Sequence, residues 1–130
     1  MEKQAIYTGS GVSSAPYSPG VLYGNLLFVS GQIPIDPAAG QVVEGDFTIR
    51  VRQCISNLER VLEEAGTNLD HVVKTTVFLT NMDDFGQMNA VYGEYFGDIK
   101  PARSCVQVSA LPLGVDVEIE AIAVLPAPQG

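Results

Sequence analysis

The chain has 130 residues, 46% of them hydrophobic and 17% charged, with a mean hydropathy of +0.18. That predicts one domain with a core of its own and excludes a disordered chain. Fifteen Asp and Glu against seven Lys and Arg give a net charge of −8. Such a surface repels phosphate backbones, so no nucleic-acid partner is expected.

No apolar run reaches the roughly 18 residues of a membrane span. The start, MEKQAIYTGSGV, lacks the apolar stretch of a secretory signal. The expectation is a cytoplasmic protein with no membrane partner. Two cysteines without a CxxC spacing and a single His, His71, argue against a zinc cluster and against most triad chemistry. His71 is expected to open a strand and face solvent.

In chain order, residues 1–20 read as an irregular lead-in with a short strand near Ala5 to Thr8. Two apolar runs within Val21–Ser30 flank Gly24-Asn25, a two-residue hairpin turn. Ser30 to Pro34 leaves the second strand, and Asp36 to Gly40 forms a turn. Phe47, Val51, Cys54, Ile55, Leu58, Val61, Leu62 and Ala65 recur at helical spacing. Asp46 suits the N-cap and Gly66 the left-handed stop. Cys54 lies on the apolar stripe, as a core residue. Arg50 and Arg52, two positions apart, read as solvated polar-face residues.

His71 to Thr80 is rich in β-branched residues and reads as a strand apolar on both faces. Val73, Thr75, Val77 and Leu79 share one face, and Val72, Thr76 and Phe78 the other. Cover on both sides points to a subunit contact. A second helix starts at Asn81 to Asp84, shows Phe85, Met88, Tyr92, Tyr95 and Phe96 on one face, and closes at Gly97. Residues 102–109 and 115–125 read as strands, joined through Leu111-Pro112-Leu113-Gly114 as antiparallel neighbours. Residues 126–130 form a tail. The fold class is α+β, with two helices on one face of a mixed sheet.

Arg103 opens a β-branched run after Pro101. Alternation puts it on one face with Cys105 and Gln107. A guanidinium there can fork onto a carboxylate; equally, it can be a surface Arg paired with a nearby acid. Asp116, Glu118 and Glu120 share one face of the last strand, either as a solvated face or with one acid near enough to Arg103 to hold a water.

Four segments, Ser30-Gly31-Gln32-Ile33-Pro34, Lys74-Thr75-Thr76-Val77-Phe78, Pro101-Ala102-Arg103-Ser104-Cys105-Val106 and Val117-Glu118-Ile119-Glu120-Ala121-Ile122-Ala123, together resemble the RidA/YjgF family of reactive-intermediate deaminases. The resemblance runs from Tyr17 to Ala123 in the family's order and spacing. It implies a chorismate-mutase-like (ferredoxin-like) subunit, residues 1–130 as one RidA-like domain, and a homotrimer with sites between subunits. It also implies hydrolysis of 2-iminobutanoate and 2-iminopropanoate to 2-oxo acids and ammonia, with no cofactor and no metal.

By the same resemblance Arg103 grips the substrate carboxylate, Glu118 handles the attacking water, and the backbone around Cys105 helps place water and imine. Tyr17, Ser30, Gly31 and Asn89 complete the substrate-binding set. Gln107 stands where some relatives carry an acid. The rival readings are a 2-oxo-acid-binding sensor without turnover and, further off, an endoribonuclease acting as a translation inhibitor.

Overall fold

The computed structural model describes residues 1–9 and 15–127. The Ser10 to Ser14 part of the expected lead-in and the tail from Pro128 lie outside the described residues. Eight strands and two helices follow in order: β1 (Gln4–Ile6), β2 (Gly20–Tyr23), β3 (Leu26–Gln32), β4 (Ile35–Asp36), β5 (Gln41–Val42), α1 (Phe47–Ala65), β6 (Val72–Leu79), α2 (Phe85–Tyr92), β7 (Ala102–Gln107) and β8 (Val117–Val124). Six of the strands form one sheet in the order β1-β2-β3-β8-β6-β7, while β4 and β5 pair separately. Every pairing in the large sheet is antiparallel except β6 with β7. Mixed sheet and paired helices match the expected α+β class.

The first hairpin turns at Gly24, whose φ of +62° a side chain would strain. β3 continues through Gln32 instead of ending at Ser30, and its register against β8 slips between Val29 and Gln32. That bulge re-aims Ser30 and Gly31. α1 starts where Asp46 accepts from the Ile49 N–H at 3.1 Å and ends at Gly66 with φ of +90°. Both caps are as expected. Its buried stripe of Val51, Cys54, Ile55, Leu58, Val61 and Leu62 packs on Leu27 and Val29 of β3 and on Val117, Ile119, Ala121 and Ala123 of β8. Cys54 is fully buried, its thiol turned toward the Val117 carbonyl, and burial pushes its pKa far up.

Four expectations need correction. First, β8 does not neighbour β7. It lies between β3 and β6, and β7 is an edge strand parallel to β6. The Leu111 to Val115 link is therefore a crossover across β6, not a hairpin turn. Second, a register shift between Val72 and Lys74 puts Val72 in the core with Thr75, Val77 and Leu79, and leaves Val73 exposed. His71 closes a short 3-10 turn capped by Asn68, and the strand begins one residue later.

Third, α2 stops at Tyr92 and does not run to Gly97. The turns beyond are held by the Lys100 ammonium, which donates to the carbonyls of Phe96 at 2.7 Å and Gly97 at 3.0 Å. Phe96 is still buried, with its ring centroid 4.5 Å from that of Tyr92. Fourth, Arg50 is not a solvated polar-face residue but half-buried and paired, whereas Arg52 is exposed as expected. Arg50 donates from Nε and Nη2 to the two carboxylate oxygens of Asp116, both at 2.8 Å. Arg52 pairs with Glu94 at 2.7 Å. The Arg50 fork ties the start of α1 to the approach to β8.

Thr75 is fully buried on β6, and its hydroxyl lies 2.7 Å from the Tyr92 hydroxyl. This bond sets α2 on the sheet. Thr75→Val removes one partner and leaves the Tyr92 hydroxyl unmatched, which costs about 1–3 kcal/mol. A urea titration is expected to show a lower midpoint at unchanged slope.

Candidate active site

Side-chain alternation divides the sequence-predicted residues between two faces of the sheet. On β7, Arg103 pairs in register with Thr75 and Cys105 with Val77, so both take the face that carries the helices. α2 presents Phe85, Asn89 and Tyr92 at i, i+4 and i+7, one stripe of the helix. The Arg103 guanidinium lies 4.9 Å from the Tyr92 ring centroid and 5.6 Å from that of Phe85. Two aromatic faces hold this cation in place. Among the described residues no carboxylate pairs with it, so its donor fork is uncommitted.

The Arg103 guanidinium suits an anion. Asn89 Oδ1, on the same helix stripe as Phe85 and Tyr92, is instead buried without a hydrogen-bond partner and suits a donor. Burial raises the Cys105 thiol above its ordinary pKa, and the Arg103 charge offsets this only in part. A thiol shifted upward stays protonated at neutral pH and is a poor nucleophile. Gln107, next on this face, accepts from the Met82 N–H at 2.8 Å through its side-chain oxygen. It thereby fixes the loop that leads into α2.

Glu118 occupies the other face. It pairs in register with Phe78, and its neighbours Val117 and Ile119 point into the core. The expectation that one acid of the last strand lies within reach of Arg103 in the same chain is therefore corrected. The two residues sit on opposite faces, on strands separated by β6. Glu118 lines a hollow of about 290 Å³ with Tyr17, Ser30, Gly31, Ile33 and Pro112. The Ser30 hydroxyl donates to the Ser18 carbonyl at 2.7 Å, and the Ser30 N–H to that of Pro19 at 2.9 Å. Ser30 thus anchors the loop that carries the exposed Tyr17.

Gly31 is small because Glu118 needs its space: an added Cβ would lie 2.7 Å from the Glu118 carboxyl carbon. Burial, and then the nearby charge of Glu120, raise the Glu118 pKa above its ordinary value of 4.5. A carboxylate shifted upward is a stronger base.

The seven residues thus form two half-sites. Arg103 and Cys105 of β7 lie with Asn89 of α2, and Tyr17, Ser30, Gly31 and Glu118 lie around the bulge of β3. The aromatic pair beneath Arg103 was not singled out from the sequence as part of a site. Its signal was the i, i+4, i+7 stripe of α2, which reads equally well as core.

The sequence model of the family described as Endoribonuclease L-PSP matches residues 9–125. A RutC family protein of Pyrococcus abyssi is 49% identical over 124 residues, covering 95% of this chain and 98% of its own. The 2-iminobutanoate/2-iminopropanoate deaminase of Mus musculus is 47% identical over 109 residues, covering 84% and 81%. The crystal structure of RidA from an Antarctic Psychrobacter superposes with a TM-score of 0.87 at 38% identity, covering 94% of this chain and 99% of that one. With nearly the whole length matched in sequence and in fold, the chain belongs to the RidA/YjgF family.

Proposed function

We propose that this protein is a 2-imino acid deaminase that hydrolyses small reactive imines and enamines to 2-oxo acids and ammonia. The observation that carries the reading is the Arg103 guanidinium, without a carboxylate partner among the described residues, held over two aromatic rings. The mouse relative named for this activity supports it.

Arg103 binds the substrate carboxylate through two parallel hydrogen bonds, which orients the adjacent C=N. Asn89 Oδ1 accepts a hydrogen bond from the bound substrate. Glu118 takes a proton from water as the water oxygen bonds to the imine carbon. With the imine nitrogen protonated at the outset, this addition gives a neutral carbinolamine. Glu118 returns the proton it took to that nitrogen, the C–N bond breaks as the C=O forms, and the hydroxyl proton leaves with the ammonia as ammonium. Cys105 contributes its backbone, in keeping with a thiol that stays protonated. No cofactor is needed, because water is the co-reactant.

Opposite faces for Arg103 and Glu118 mean that a complete site requires two copies of the chain. We infer a homotrimer in which the hollow of one subunit meets the Arg103 shelf of the next. The sheet face away from the helices supports this. Phe28 is 44% exposed and Val106 43% exposed, beside half-buried Phe78 and Ile122. Burying such side chains fully is worth roughly 1.5–3 kcal/mol each. Arg103 stands on the edge strand, where a neighbour can reach it.

The test generates 2-iminobutanoate from threonine with a pyridoxal-phosphate dehydratase and follows 2-oxobutanoate release with and without the protein. Faster release with the protein is expected. An unchanged rate together with saturable 2-oxobutanoate binding would replace the enzyme by a non-catalytic sensor.

A further inference from the structure

We propose a second ligand site on this chain, built around Arg60 of α1, that takes a small carboxylate with an aliphatic tail. Arg60 is half-buried and makes no hydrogen bond or ion pair with any described residue. This sets it apart from Arg50 and Arg52 on the same helix, which are both paired. Glu63 and Glu64 stand three and four positions further along, at spacings that allow ion pairs. Neither forms one with Arg60.

Arg60 instead lines a cavity of about 240 Å³ that also includes Tyr17, Pro19, Ile33, Ile35 and Pro37. The wall is mixed: Thr8, Gln32 and Asn57 add polar groups to these, and both amide nitrogens are spent, that of Gln32 on the Ser30 carbonyl at 3.0 Å. Asn57 donates to the carbonyls of Ile33 at 3.0 Å and Ile35 at 2.9 Å, and accepts from Gln53 at 2.9 Å. Arg60 is therefore the charged donor that the cavity offers. A guanidinium fork beside aliphatic and aromatic walls matches a carboxylate with a hydrocarbon tail. The volume lies below the roughly 300–1,000 Å³ of pockets for drug-sized ligands, which suits an acid of a few carbons.

The cavity shares Tyr17, Gly31 and Ile33 with the Glu118 hollow. A bound acid therefore touches the wall of the proposed active site without occupying Arg103. The inference does not depend on imine hydrolysis, and its test reads binding alone. The probe is 3-methylbutanoate, titrated into the whole protein and followed by amide and methyl NMR shifts, with acetate in a parallel titration.

Saturable shifts at Ile33, Ile35 and Tyr17 are expected. They should persist in Arg103→Ala, weaken by about tenfold or more in Arg60→Gln as charge-assisted hydrogen bonds are lost, and recover in part in Arg60→Lys. Acetate should bind at least about tenfold more weakly, since it lacks three carbons and each buried methylene contributes about 0.8 kcal/mol. Because Arg60 has no partner among the described residues, Arg60→Gln should fold and melt as the parent does. No saturable shift at those residues, binding that survives Arg60→Gln, or binding lost in Arg103→Ala would each overturn the proposal.

Discussion

Replacing Arg103 by alanine is expected to lower kcat/KM for 2-iminobutanoate by about 10²–10³-fold while leaving the chain folded. The size follows from two charge-assisted hydrogen bonds to the carboxylate at about 1.5–3 kcal/mol each, offset by some residual binding. Folding should survive because no described carboxylate depends on Arg103 and the side chain is only half-buried. Arg103→Lys should recover little, since a single ammonium cannot make the planar fork. Steady-state kinetics with circular dichroism on each variant checks both parts. Full activity in Arg103→Ala would remove the carboxylate grip from this residue.

Glu118→Gln should reduce kcat by about 10²–10⁴-fold, the usual contribution of a general base. The pH dependence gives a second readout. The Glu118 pKa lies above 4.5 because burial and the Glu120 charge disfavour its ionised form. Parent activity should therefore fall as pH drops through this raised value, with a midpoint above the ordinary Glu range. The Gln variant should show no such acid limb.

Stability responds with the opposite sign. A raised folded-state pKa means that the protonated form is favoured in the fold, so the stabilisation is present below the ordinary value and is lost as pH rises through the raised one. At pH 7, Glu118→Gln should melt at the same or a higher temperature than the parent, with its assembly intact. Loss of assembly without a separate effect on rate would make Glu118 a structural residue.

The long helix was legible because each of its signals agreed: the stripe from Phe47 to Ala65, Asp46 at one end and Gly66 at the other. The first hairpin was legible from Gly24-Asn25 for the same local reason. What failed depended on partners distant in sequence. The link from Leu111 to Gly114 looks like a turn between neighbours, yet β8 inserts between β3 and β6, where its Val117, Ile119 and Ala121 side chains are buried under α1. Strand periodicity does not encode strand order. One bulge after Val72 also exchanged the faces of Val72 and Val73, as a one-residue slip must.

The candidate site shows the same division. Alternation grouped Arg103 with Cys105 correctly, because that relation is local to one strand. Family resemblance supplied Tyr17, Ser30, Gly31, Asn89 and Glu118 without saying which of them share a face. Gly31 shows what sequence alone leaves out: its small size matters because a carboxylate from β8, far along the chain, fills the space beside it. The pairing of Arg50 with Asp116 spans a similar separation, and neither residue's neighbours announce it.

The central claim is that each working site takes Arg103 from one copy and Glu118 from another. Co-refolding equal amounts of Arg103→Ala and Glu118→Gln subunits tests it most directly, because each variant alone carries one ruined half of every site. Random mixing in a closed ring should give about one quarter of the sites both intact halves. The account predicts that the mixture regains about a quarter of the parent rate, far above either variant alone. If the mixture shows only the average of the two variants while mixed oligomers are demonstrably present, both residues act within one chain or not together, and the composite site is contradicted.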